Sequence, residues 1–327
     1  MTTPSSALTT PRQGAASAGL TVAVDIGGTK IAGALVHPDG TMPVTARRPT
    51  PRDVDADAVM AAVAEVVADL AAAPQWSGAA RCGIGSAGPV DASRGTVSPV
   101  NIGAWRDFPV QARVAAELAR HGAEVPTVLV GDGVAMTAAE HWRGAARGHD
   151  NALCMVVSTG VGGGLVLGGR LHPGPTGNAG HIGHISVDVE GEVCACGGRG
   201  CVEAIASGTA IARWARAQGF TGPDRTAAGV AAAARAGEPV ALAAFDRAGR
   251  ALAAAVAATA TLVETDIAVI GGGVAAAGDV LFGPVRAHLA TYATLSFAAG
   301  LEVVPAQLGT DAGLIGAAAA AAALLDS

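Results

Sequence analysis

Residues 20–30 read LTVAVDIGGTK, and residues 151–172 read NALCMVVSTGVGGGLVLGGRLH. Each is a short apolar, β-branched run that reaches a polar residue, passes a glycine turn and doubles back. Runs of that length and composition suit strands buried in a sheet. After the first copy, IAGALVHPDGTMPVTARRPT at 31–50 continues as antiparallel strands, with Pro38-Asp39-Gly40 as the hairpin turn. Outward from there, DADAVMAAVAEVVADLAAA (55–73) has helical apolar spacing and an acidic first turn, and RCGIGSAGPVD (81–91) is a strand and turn. FPVQARVAAELARHG (108–122) is a helix stopped by Gly122, VPTVLVGD (125–132) is a buried strand, and GVAMTAAEHWRGAARG (133–148) is the helix after it. The second copy then restarts the pattern. It leads into helices over 208–263, a strand in DIAVIGGGV (266–274), a helix, a strand in LEVVPAQ (301–307) and an Ala-rich final helix. Two such series predict an α/β protein of two related halves facing each other across a ligand cleft.

Composition narrows the function. The chain has 327 residues, half of them apolar, and a formal net charge of −6. The acidic balance and the absence of any Lys/Arg block argue against a nucleic-acid partner. Residues 1–19, MTTPSSALTTPRQGAASAG, read as a disordered tail with no signal-peptide core. The longest apolar stretch, AGLIGAAAAAAALL, is too short to span a bilayer, so a cytoplasmic protein without membrane partners is expected. In a reducing compartment clustered cysteines point to metal more than to disulfide.

Four glycine turns carry the candidate phosphate chemistry. Asp25, Gly27, Gly28, Thr29 and Lys30 lie in DIGGTK; Ser158, Thr159, Gly160 and Gly162 in STGVGGG; Gly272 and Gly273 in IGGGV; and GIGSAGPVD is the fourth. Glycine lets backbone N–H groups approach a phosphate, and the hydroxyls of Ser158 and Thr159 add donors. Any one of them could be a plain tight turn. Neither P-loop spacing nor GxGxxG occurs, which sets aside a P-loop NTPase and a dinucleotide-binding dehydrogenase. Asp132, ending the buried strand VPTVLVGD, is a carboxylate aimed at the cleft and so a candidate general base; a helix cap at Gly133 is its structural alternative. Asp25 is a second carboxylate at a strand end, ahead of the first glycine turn.

His184, Cys194, Cys196 and Cys201 supply three thiols and an imidazole within a glycine-rich span, enough to close a tetrahedral Zn²⁺ site without an open position. Such a zinc is structural and shapes the loop. Glu203, two residues on, is either a helix N-terminal carboxylate or a group that this loop holds in place.

Taken in order, DIGGTK, GIGSAGPVD, STGVGGGLVLGGRLHPGPTGNAG, GHISVD…CACGGRGCVE and IGGGV resemble the motifs of the ROK family, which comprises sugar kinases and related repressors. The resemblance implies two RNase H-like domains of the actin-like ATPase kind around a central cleft. The first is 20–131, joined by the last helix (about 312–327); the second is 132–311, with a zinc loop at 184–201. It implies ATP-dependent phosphorylation of a hexose, at the 6-hydroxyl as in glucokinases, with Asp132 as the base and Asp25 as the partner for Mg²⁺ bound with ATP. It also implies the same four zinc ligands, sugar contacts by Glu203 and His184, and a homodimer. Asn101, in SPVNIGAW, matches a further sugar-side stretch, or is a polar turn residue. Repressors of the family carry a helix-turn-helix domain ahead of the first phosphate turn, whereas 24 residues precede Asp25 here, so a kinase is expected and a regulator is the alternative.

Two positions depart from the family pattern. Gly131 stands where an asparagine usually precedes the catalytic aspartate, and His181 stands where the ExGH motif has glutamate. Both family residues contact sugar hydroxyls. Glycine removes an amide outright, and histidine replaces a charged acceptor with a ring that donates at one nitrogen and accepts at the other. An altered sugar preference is the expectation, with an amino hexose such as 3-amino-3-deoxyglucose (kanosamine) or another modified glucose as a candidate. A sugar-binding protein without catalysis is the remaining alternative.

Overall fold

In β1 (Leu20–Ile26) the apolar run is buried at every position except Asp25, which is only partly covered. The computed structural model, which describes residues 19–99 and 101–325, places this strand at the centre of a five-stranded sheet. The chain turns at Gly27 and Gly28 into β2 (Lys30–Val36) and then into β3 (Val44–Pro49), both antiparallel to their predecessors. After α1 (Ala56–Ala71), β4 (Ala79–Ser86) inserts parallel to β1, and a short antiparallel pair follows, β5 (Val90–Asp91) with β6 (Thr96–Val97). Helix α2 (Val110–Arg120) leads to β7 (Thr127–Gly131), parallel to β4. The sheet order is thus β3-β2-β1-β4-β7.

Helix α3 (Asp132–Arg143) connects to the second series. There β8 (Ala152–Val157), β9 (Val161–Leu167) and β10 (Arg170–His172) form an antiparallel meander. The chain then runs through α4 (Val202–Ala206), α5 (Gly208–Ala217), α6 (Ala227–Arg235) and the long α7 (Pro239–Val263). Strand β11 (Ile267–Gly271) pairs parallel to β8; after α8 (Asp279–Tyr292), β12 (Glu302–Pro305) pairs parallel to β11. The order β10-β9-β8-β11-β12 repeats that of the first sheet, strand for strand. The two sequence copies therefore fold to the same topology, and the expected α/β architecture is observed. The expected N-terminal tail and the last two residues lie outside the described residues.

Each sheet has its own core. Val22, Val24, Ile31, Val63, Val67, Leu70, Ile84 and Trp105 pack the first, and Leu153, Met155, Ile211, Phe245, Leu252, Ile270 and Leu281 the second. Cys82 and Cys154 are buried among these strands, and burial pushes the Cys82 thiol up to about 12, so neither thiol is a nucleophile near neutral pH. The Ala-rich run forms α9 (Ala312–Leu325), which lies over the first sheet and crosses α3. Its small residues are what let it fit. A Cβ on Gly316 would come within 1.9 Å of the Ala135 carbonyl oxygen, and one on Gly83 of β4 within 1.9 Å of the Ala317 oxygen. Among the described residues, no helix is long and apolar enough to cross a membrane.

Candidate active site

The two halves meet where their glycine turns end. Helix α3 starts at Asp132, one residue earlier than the sequence places it, with Gly131 in the cap position and the Asp132 Oδ1 accepting from the Gly133 N–H at 2.7 Å. The first turn of α3 lies against β9: a Cβ on Gly133 would be 2.5 Å from the Gly163 nitrogen. This backbone-to-backbone approach sets the Asp132 carboxylate beside the STGVGGG turn, its Oδ1 3.7 Å from where a Gly162 Cβ would lie. Gly88, Gly131, Gly162, Gly163, Asn178 and His181 line the same small pocket. As a whole residue Asp132 is exposed to solvent, while protein atoms crowd around its carboxyl group. Burial raises its pKa above the usual carboxylate range, against the lowering effects of the Gly133 N–H and the charge of His181.

Asp25 occupies the corresponding strand end in the first sheet. Burial pushes its pKa up to about 6; Lys30 opposes this, and Asp132 adds to it. The two carboxylates are therefore close enough to feel each other. A Cβ on Gly313, at the start of α9, would lie 2.5 Å from the Asp25 Oδ2, so α9 closes one side of this carboxylate. The DIGGTK turn is held by the Gly27 N–H donating to the Lys30 carbonyl (2.9 Å) and the Thr50 hydroxyl donating to the Gly27 carbonyl (2.6 Å). Thr29 is exposed at its tip. Asn101 lies against this turn, its amide 2.5 Å from a Cβ built on Gly28.

On the second sheet, the other two turns converge. The Ser158 carbonyl accepts from the Gly208 N–H at 2.7 Å, and the Thr209 hydroxyl donates to the Thr159 carbonyl at 3.1 Å. Gly272 adopts φ +89 and leaves no room for a side chain, since a Cβ would sit 2.4 Å from the Val157 carbonyl oxygen; Gly273 follows beside the Ser158 hydroxyl. Glu203, in the first turn of α4, accepts from the Val161 N–H at 2.8 Å, which ties the end of the cysteine loop to the STGVGGG turn.

The cysteine loop gathers as its spacing predicts. The candidate donor atoms of His184, Cys194, Cys196 and Cys201 all lie within 4.8 Å of one another. The Cys196 and Cys201 sulfurs are 3.7 Å apart, and the Cys194 sulfur is 3.9 Å from the His184 Nδ1. Tetrahedral zinc with Zn–S bonds of about 2.3 Å has ligand–ligand edges of about 3.7 Å, so this donor set is compatible with structural zinc. The His184 ring stacks on His181 with centroids 5.1 Å apart and planes 15° from parallel. His181 lines the same pocket as Asp132; burial first and His184 second depress its pKa, opposed by Asp132 and Glu203.

The ROK family's sequence profile matches residues 21–323. A glucokinase of Thermotoga maritima is 36% identical over 91% of this chain and 95% of its own length. An N-acetylmannosamine kinase of Escherichia coli is 38% identical over 91% of this chain and 97% of its own length. The structure of a ROK family glucokinase from Streptomyces griseus in complex with glucose and AMPPNP superposes with a TM-score of 0.76 at 34% identity, covering 93% of this chain and 99% of that one. The chain belongs to the ROK family.

Within a ROK fold, the departures at Gly131 and His181 fall in one pocket with Asp132. Three residues of the site escape the sequence reading. Asn178 donates across the cleft to the Val90 carbonyl at 2.7 Å and lines the Asp132 pocket; a lone polar residue inside a glycine-rich run was its only signal. Gly313 is hidden in the Ala-rich run. Glu140, a carboxylate wholly buried on α3, had no signal in the residues around it.

Proposed function

We propose that this protein is a sugar kinase that transfers the γ-phosphoryl group of ATP to a hexose or amino hexose, at the 6-hydroxyl, with Asp132 as general base. The observation that carries the reading is the Asp132 carboxylate set beside the glycine turn at 162, in a pocket that His181 also lines. A base, a backbone-lined phosphate cradle and a polar sugar-facing ring thus share one cleft. Asp132 takes the proton from the sugar hydroxyl; that oxygen bonds to the γ-phosphorus as the bond to the ADP oxygen breaks. The raised pKa of Asp132 makes it a stronger base than an aspartate at its ordinary value. Asp25, Gly27, Gly28, Thr29 and Lys30 on one side, and Ser158, Thr159, Gly160, Gly162, Gly272 and Gly273 on the other, hold the nucleotide phosphates and the nucleoside. Mg²⁺ held with ATP by Asp25 supplies charge neutralisation at the phosphates. The units 20–131 with α9 and 132–311 act as two lobes that close and exclude water. A homodimer is the working assembly.

His184, Cys194, Cys196 and Cys201 hold a structural zinc, and that loop fixes Glu203 and His184 beside the sugar, with Asn101 on the far side. Gly131 and His181 widen and re-polarise the pocket, which favours a hexose bearing an amino or other altered group, such as 3-amino-3-deoxyglucose. An ADP-release assay over a panel of hexoses and amino hexoses, with Asp132→Asn as control, tests this reading. Turnover by the Asp132→Asn variant equal to the parent's would remove Asp132 as the base. Sugar binding without ADP release in the parent would leave a non-catalytic binder, and a strong preference for plain glucose would overturn the amino-sugar assignment.

A further inference from the structure

Glu140 is wholly buried, two turns and more along α3 from Asp132. A buried carboxylate is costly unless its oxygens are occupied. Here Oε2 accepts from the Ala145 N–H at 2.8 Å, just past the end of α3, and Oε1 accepts from the N–H groups of Gln307 and Leu308, both at 3.0 Å. The first is local. The other two belong to the segment that leaves β12 and leads into α9, 167 and 168 residues away in the chain. Gly144 wraps so tightly on this carboxylate that a Cβ there would lie 2.0 Å from Oε2.

The placement connects both carboxylates of the site. Asp132 is the first residue of the helix that carries Glu140, about 12 Å up its axis at 1.5 Å per residue. Gly313, five residues beyond Leu308, abuts Asp25, and three residues further on Gly316 rests on the Ala135 backbone. One buried side chain therefore pins the lead-in of the helix that borders Asp25 to the helix that presents Asp132. We infer that Glu140 is a positioning residue, which sets Asp25 relative to Asp132 by fixing where α9 begins against α3. This inference rests on the kinase reading above for its effect on turnover, and on the hydrogen bonds alone for the anchor itself.

The test uses Glu140→Gln, which keeps shape and one acceptor oxygen but turns the other into a donor facing a donor. Gly144→Ala is the second variant, displacing the same carboxylate without removing it; it carries the test if the first fails to fold. Hydrogen exchange over residues 305–313 and 144–147 is read beside steady-state kinetics on the sugar the parent uses best. The expected result is faster exchange in both segments, far-UV circular dichroism and zinc content unchanged, and kcat lowered about 10–100-fold with both KM values within about threefold of the parent. Unchanged exchange overturns the anchor. Faster exchange with unchanged kcat overturns the positioning role, as does a kcat loss matched by a proportional rise in the sugar KM. Should the parent itself phosphorylate no sugar, the kinase reading fails, and the exchange result alone upholds or overturns the anchor.

Discussion

Asp132 and Gly131 show how much one residue carries. Removing a general base from a phosphoryl transfer that is otherwise well positioned costs about 10²–10⁴-fold in kcat, so Asp132→Asn is expected to fall in that range with sugar affinity retained, as measured by steady-state kinetics and calorimetry. Gly131 sits at φ −68 and ψ 154 with no side-chain cap for α3, and a Cβ there meets nothing closer than the Val90 methyls at 4.0 Å. Asparagine is accepted by that backbone and is a favoured helix cap. Gly131→Asn is therefore expected to raise stability by about 0.5–1 kcal/mol in chemical denaturation and to move sugar preference toward unmodified glucose. Asp25 titrates near pH 6 in the fold against an ordinary value of 3.8. A raised carboxyl pKa means the protonated form is the stabilising one: that contribution is complete below about pH 3.8 and is lost as pH rises through about 6. Asp25→Asn should thus melt above the parent at about pH 7.5, with the gap closing as pH falls below 6. Activity should run the opposite way on the kinase reading, in which both carboxylates work ionised: kcat/KM is expected to drop as pH falls through about 6, where Asp25 takes up its proton.

At the scale of elements, the crossing of α9 over α3 and β4 is decided by absent atoms. The 1.9 Å gaps at Gly316 and Gly83 are closed by backbone, which cannot swing aside. Gly316→Ala is expected to cost about 1–3 kcal/mol in urea unfolding and to lower kcat, since the helix that flanks Asp25 must shift. The sequence shows this helix plainly as an apolar run. What it cannot show is the partner, because a helix that is apolar all round gives no stripe and hence no preferred face. The strand–turn–strand copies were legible for the opposite reason: β-branched runs broken by glycine have only one local solution. Asp132, the glycine turns and the Cys–His cluster were legible too, since each concentrates its chemistry in a few adjacent residues. Asn178 and Glu140 were not; each acquires meaning only from a backbone group that the chain brings to it from far away.

For the whole molecule, the cysteine loop is where a bound zinc would meet the fold. Cys201 caps the N-terminus of α4, and Glu203 in the first turn of that helix reaches the STGVGGG turn through the Val161 N–H. Loss of the metal should loosen this connection. Elemental analysis is expected to give about one zinc per chain, and Cys196→Ser or a strong chelator should remove it, lower the melting temperature and reduce activity together. Full zinc-free stability would mean that hydrogen bonds such as Cys194 N–H to the Gly198 carbonyl (2.7 Å) suffice to hold the loop. By itself the sequence determined the α/β character, the internal repeat, the turns and the cysteine–histidine donor set, because each is written in neighbouring residues whose local physics has few outcomes. Only the tertiary structure decided that the start of α9 borders Asp25, that His181 stacks on His184 in the pocket of Asp132, and that Glu140 ties α3 to the segment leading into α9. Those relations depend on which distant backbones come within hydrogen-bonding distance, and chain closure fixes that only when both sheets have packed.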